Sequence, residues 1–240
     1  MADGIYAALT GAVAQSQALD VVANNLANAD TTGFKRDQVT FRESLARARG
    51  DRVADPTARH VAVDQIRPDF RPGASHETGN PLDLSLETPG FFVLQTAQGE
   101  RFTRAGAFRV QADGAVTSQD GDPVLGDGGP LQVDPRRPWR VDATGTLWSD
   151  ERPVGRVRVV AFADPEGLVR EARAQWRAPV GKRPSPVEAS VRVGALERSN
   201  VNAVEAMTQL VWISRAYESF HRTIEVFRAV DSRTVTDLGR

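Results

Sequence analysis

The side chains of this 240-residue chain best suited by type to chemistry are three histidines, four tryptophans and a run of turn aspartates. His60, His76 and His221 are far apart in unlike contexts, and none has a second ligand at helical spacing, so no metal centre is expected. Asp113, Asp120, Asp122 and Asp127 would offer oxygens to calcium. After Asp120 and Asp122, however, the next ligand position is Val124, and no bidentate glutamate follows. With no cysteine there is no thiol nucleophile, thiolate metal site or disulfide. Neither a Gly-x-Ser-x-Gly elbow nor a glycine-rich phosphate loop ending in Gly-Lys-Ser/Thr occurs. Glycoside chemistry needs two carboxyl groups roughly 5 to 10 Å apart. Asp83, Glu87, Glu100 and Asp113 are the acids that would serve, and none is expected to matter. Trp139, Trp148, Trp176 and Trp212 could line a sugar groove, but scattered large aromatics are more often core or interface anchors. The expectation is therefore no catalytic residue, no cofactor and no metal.

Charge points the same way. Thirty basic against thirty-one acidic residues leave a net of −1, with no run of like charge to attract nucleic acid or an anionic membrane. No stretch approaches about 20 consecutive apolar residues, so insertion into a bilayer is not expected. The N-terminus lacks a basic region followed by a continuous apolar one, which predicts no secretory signal peptide.

If the chain does not do chemistry, the elements that organise it matter more. Ala203, Ala206, Leu210, Ile213, Tyr217, Phe220, Ile224 and Phe227 recur by alternating threes and fours, the seam of a coiled coil. Ile5, Ala8, Ala12, Gln15, Leu19, Val22, Leu26 and Ala29 keep the same spacing with smaller side chains. Isolated helices of this length are marginal in water, so each needs cover. The nearest candidate is the other helix. Such a pair would have to be antiparallel if the central domain sits at one end, and it would leave Val204, Val211, Trp212 and Val226 off the seam. Two readings stand: ordinary helix packing beside a β-domain, or a polymerising surface. The first helix is expected to stop near Asn28, where Asn-Ala-Asp-Thr-Thr-Gly is turn chemistry and Gly33 takes a positive φ. A β-branched residue at position 33 should then fail where asparagine is tolerated, and Phe34 should turn back onto the helices.

Between the helices, residues 34–79 read as an extended connector with a short helical piece at Phe41 to Ala48. Residues 80–198 alternate short apolar runs with turns, a β-rich domain punctuated by Asp113-Gly114, Asp120-Gly121 and Asp127-Gly128. Ser199 and Asn200 can cap the C-terminal helix, with Asn202 or Glu205 further inside. The predicted class is α+β: a terminal helical domain (1–33 and 199–240) packed as a coiled-coil-like pair, an extended connector (34–79) and a central β-rich domain (80–198).

Three segments carry a resemblance. LDVVANNLANADTTGFKRD from Leu19 to Asp37, NPLDLSLETPGFFVLQTAQGERFTRAGAFRVQADGAVTSQDGDPVLG from Asn80 to Gly126, and SNVNAVEAMTQLVWISRAYE from Ser199 to Glu218 resemble, in that order, the axial proteins of the bacterial flagellar basal body. The opening GIYAALTGA and the modest length look most like the proximal rod branch, with the distal rod and hook branches as alternatives. A secreted β-domain enzyme or a carbohydrate-binding module is the remaining reading. The resemblance implies a structural subunit of the periplasmic rod, exported through the flagellar type III apparatus without a cleaved signal. Its partners would be neighbouring axial subunits and further copies of itself. It implies an assembly interface of Ile5, Leu19, Val22, Leu26, Leu210, Ile213, Tyr217, Phe220, Ile224 and Phe227. Asn24, Asn25 and Asn28 would make interhelical or turn hydrogen bonds, Gly33 and Phe34 would form the exit from the first helix, and Arg215 and Glu218 would touch neighbours.

Overall fold

The computed structural model describes residues 2–45 and 59–238. Its contacts divide the chain into two units. One comprises residues 1–27, 37–68 and 202–240, the other residues 28–36 and 69–201.

The first unit holds helix α1 (Ala2–Ala27), strands β1 (Asp37–Leu45) and β2 (Arg59–Pro68), and helix α2 (Ala203–Leu238). α1 packs against both α2 and β2. Two coverings explain why its small apolar residues occupy more than one stripe: Ala8 and Ala12 are buried, and so are Ala14, Ala18, Val21 and Val22. β1 and β2 form an antiparallel hairpin running from Asp37 opposite Pro68 to Leu45 opposite Arg59, with a register shift at Thr40/Phe41. The helical piece expected at Phe41 to Ala48 is thus replaced, through Leu45, by strand; residues 46–48 lie outside the described residues. Val39 and Phe41 alternate with polar residues, as do Val61 and Val63 on the partner strand. Period-two patterning and a partner strand outweigh the helix propensity of the Ala- and Arg-rich stretch. The segment read as one connector is therefore divided between the two units.

In the second unit an antiparallel six-stranded sheet runs in the order Val169–Ala172, Gln175–Arg177, Gly99–Thr103, Phe91–Thr96, Val159–Ala161, Ser185–Pro186. Its fourth strand is apolar on both faces because it has a core on each side. Phe92 and Leu94 join Leu84, Phe108, Val116, Val124 and Leu147. Phe91 and Val93 join Phe102, Val160 and Trp176. Full burial on both faces removes the polar alternation of a one-sided sheet, hence the unbroken Phe-Phe-Val-Leu run. The expected turns appear with positive φ at Gly114 and Gly121, while in the third it is Gly129 that takes it. The pair Val169–Ala172 and Gln175–Arg177, absent from the sequence reading, brings Trp176 into the sheet.

Candidate assembly interface

Two glycines set how closely the helices of the first unit approach. A Cβ placed on Gly11 would lie 2.6 Å from the Phe220 ring, and one on Gly4 would lie 2.9 Å from the Phe227 ring. Each glycine is therefore a notch that receives an aromatic side chain. The notches are seven residues apart on α1 and the rings seven apart on α2 in the opposite sense, so the pair is antiparallel. Beside the notches Ala8, Ala12 and Ile224 form a buried cluster flanked by Tyr217 and Phe220. Large residues on one helix thus face small ones on the other, which fills the space without forcing the axes apart.

The residues expected at the interface fall into three groups. Val22 and Ile224 are buried, and Ile5, Leu19, Leu26, Leu210, Ile213, Tyr217, Phe220 and Phe227 are half-buried, all within the first unit. Asn25 is buried, and its role is local: Nδ2 donates to the Asp37 carbonyl and Oδ1 accepts the Asp37 N–H, both at 2.8 Å. That amide pairs with the backbone like a neighbouring strand and holds the start of β1 against the end of α1. Asn24 is exposed, whereas Asn28 belongs to the second unit, where it accepts from the Thr31 hydroxyl.

A second apolar row remains on each helix after this packing. On α1 it comprises Tyr6, Leu9 and Val13. On α2 it comprises Val204, Met207, Val211, Trp212, Val226 and Val230, with Trp212 74 % exposed. Arg215 and Glu218 lie on the exposed side of α2 as well. Among the described residues, no helix is long and apolar enough to cross a membrane.

The exit loop runs from Asn28 to Arg36 within the second unit. Gly33 has φ +66°, as the turn chemistry requires, but conformation is only half of its constraint. A Cβ there would lie 2.3 Å from the Ala105 nitrogen and 2.4 Å from the Arg104 carbonyl carbon, both backbone atoms. Asparagine is therefore excluded along with valine, contrary to the sequence expectation. Phe34, expected to turn back onto the helices, belongs by its contacts to the second unit; it is wholly buried, with the Arg170 guanidinium over its ring at 4.5 Å, and the same guanidinium stacks on Trp176 at 4.2 Å. A cation shared by two ring faces is a favourable anchor. Beyond the loop α2 is capped by Asn202, whose Oδ1 accepts from the Val204 and Glu205 N–H groups. Asn200, an expected cap, bonds to the backbone of Asp69 and Arg71 instead.

Spacing missed Gly4 and Gly11, because glycines carry no weight in a hydrophobic stripe; their heptad separation inside a helix was the available signal. It also missed Lys35 and Glu197, a buried pair that no local pattern joins. Of the tryptophans, Trp176 is core, Trp139 packs half-buried against the core, Trp148 donates to Asp142, and Trp212 lies on an exposed helix face. Among the described residues, no group of three His, Cys, Asp or Glu side chains could hold a metal ion.

Comparison with known proteins adds sequence kinship to this geometry. A family described as flagella basal body rod protein matches residues 5–35. The flagellar hook protein FlgE/F/G D1 domain matches 86–148, and the flagellar basal body rod FlgEFG protein C-terminal matches 192–235. The chain is 33 % identical to the flagellar basal-body rod protein FlgF of Caulobacter vibrioides over 100 % of its own length and 99 % of the relative's. It is 34 % identical to FlgF of Salmonella typhimurium, with 91 % of each chain covered. Identity is 30 % to the rod protein FlgG of Agrobacterium fabrum, over 90 % of this chain and 92 % of that one.

Proposed function

The chain belongs to the flagellar basal-body rod protein family, and on that premise we propose that its terminal helices are the surface by which it joins the rod. It is a structural subunit of the proximal rod and not an enzyme. In this reading α1 and α2 make a coiled-coil-like pair whose outer rows meet neighbouring axial subunits, further copies of this chain among them, while the β-rich domain folds on its own. The chain passes through the flagellar type III export apparatus without a cleaved signal peptide and takes its place in the periplasmic rod.

The observation that carries this reading is the apolar row left over once the helices have satisfied one another. Tyr6, Leu9 and Val13 on one helix and Val204, Met207, Val211 and Trp212 on the other remain exposed. Exposed apolar rows of that kind mark interaction sites. A charge placed in the row would be stranded on assembly but harmless before it. Trp212→Glu should leave secretion and melting of the free chain near wild type, since exposed substitutions usually shift stability by no more than about 0.5 kcal/mol. Basal bodies from the variant should lack a completed rod, and the cells should not swim. Normal swimming would show that the row is not an interface.

A further inference from the structure

We propose that Lys35, Glu197 and Arg104 form an internal latch, one that fastens the exit loop to the β-domain only when the domain's last strand is in place. Lys35 is wholly buried, and its ammonium donates to the Glu197 carboxylate and, at 2.8 Å, to the Arg71 carbonyl. Glu197 is 2 % exposed and ends the strand Ala195–Glu197, which pairs with Ser75–Glu77. Its Oε1 also accepts the Gly73 N–H at 3.0 Å, and its Oε2 lies 3.3 Å from Arg104 Nη1. One carboxylate thus stands between two buried cations. Burial pushes the Lys35 ammonium toward losing its proton, and the Glu197 charge opposes that. Arg104 is under the same opposing influences.

A cation taken out of water without its counter-charge is strongly disfavoured. Lys35 therefore has no stable site until Glu197, 162 positions later in the chain, has arrived. Backbone bonds close with the ion pair. The Gly33 N–H donates to the Glu197 carbonyl at 2.8 Å, and the Arg36 N–H donates to Asn200 Oδ1 at 2.8 Å. Asn200 Nδ2 donates to the Asp69 carbonyl at 2.8 Å, and the Asp69 N–H to the Arg36 carbonyl at 2.8 Å. Of the four points at which the chain enters or leaves the second unit, these bonds tie together three: after Arg36, before Asp69 and after Val201. Docking of the exit loop reports that the β-domain is complete. That this readies the chain for the rod rests on the function proposed above; the latch itself does not.

Hydrogen exchange on the free full-length chain tests it. Lys35→Met keeps the aliphatic stem and leaves Glu197 to Arg104, so the Gly33 and Arg36 amides should exchange at least tenfold faster while the Val93 and Leu94 amides keep their rates. Glu197→Gln strands both cations and should release the same amides more completely. In pulse labelling during refolding, the Gly33 and Arg36 amides should gain protection together with the Arg198 amide, which bonds to the Ala74 carbonyl. Protection of Gly33 ahead of Arg198, or equal exchange in wild type and Lys35→Met, would overturn the latch. Trp212→Glu should leave the Gly33 and Arg36 rates unchanged, so failure of the assembly reading is read separately, by swimming.

Discussion

Gly11→Ala sets two effects of known sign against each other. In an exposed helix interior the change would be worth roughly 1 kcal/mol of stabilisation, since glycine has the greater backbone freedom to lose. At this position the new methyl carbon would lie 2.6 and 2.7 Å from two Phe220 ring atoms. Contacts that short require the ring or the whole helix to move, and overpacking of a fitted contact typically costs about 1 to 3 kcal/mol. The clash therefore offsets or exceeds the propensity gain, and the net should lie between about 0 and 2 kcal/mol of destabilisation. Gly11→Val removes the ambiguity, because it adds two more methyls and gives back part of the propensity gain. Phe220→Leu in the same chain shortens the intruding side chain, so the double variant should recover more than the single effects predict. A coupling of at least about 0.5 kcal/mol is expected for residues in direct contact. Urea unfolding followed by the helical signal supplies all four stabilities. If Gly11→Ala stabilised the helices by its full propensity gain, and Phe220→Leu added to it without coupling, the notch would not hold the ring.

Gly33→Asn and Gly33→Val should both prevent rod incorporation, because in each the obstacle is the Arg104–Ala105 backbone, which cannot yield like a side chain; rescue of swimming by asparagine would leave only the conformational constraint. Asn25→Asp would set a carboxylate oxygen against the Asp37 carbonyl in place of a 2.8 Å donor, and should destabilise the helical unit by about 1 to 3 kcal/mol, read from helix melting; an unchanged melt would refute the pairing. Stability of the β-domain should fall below about pH 4. Arg71, foremost, and Arg36 hold Asp69 well below the usual carboxylate range. Burial would raise Asp142, yet bonds from Thr144, Trp148 and the Thr146 N–H keep it at about 2. Both folded values are depressed, so this stability is present above the unfolded value of about 4 and is lost as the pH drops toward about 2. Asp142→Asn should flatten part of that slope in thermal melts from pH 5 to 2.5, and an unaltered slope would count against the assignment.

Much of this protein was legible from local pattern alone. A period of three and four marks the inward row of α2 because an α-helix returns the same face every 3.6 residues, whatever comes to lie against it. Short apolar runs between Asp–Gly turns mark a β-rich middle because glycine alone takes the required φ cheaply. What the chain could not reveal residue by residue is which distant parts meet. The piece from Phe41 onward reads as helix until Arg59–Pro68 supplies its partner strand. Gly4 and Gly11 look like weak points of a helix until Phe227 and Phe220 fill them. Lys35 is an ordinary surface cation by type, and only Glu197, across 162 positions, makes its burial tolerable. Periodicity is a property of a segment, whereas burial and charge compensation belong to pairs of segments. They are decided when the tertiary fold brings those pairs within a few ångströms of each other.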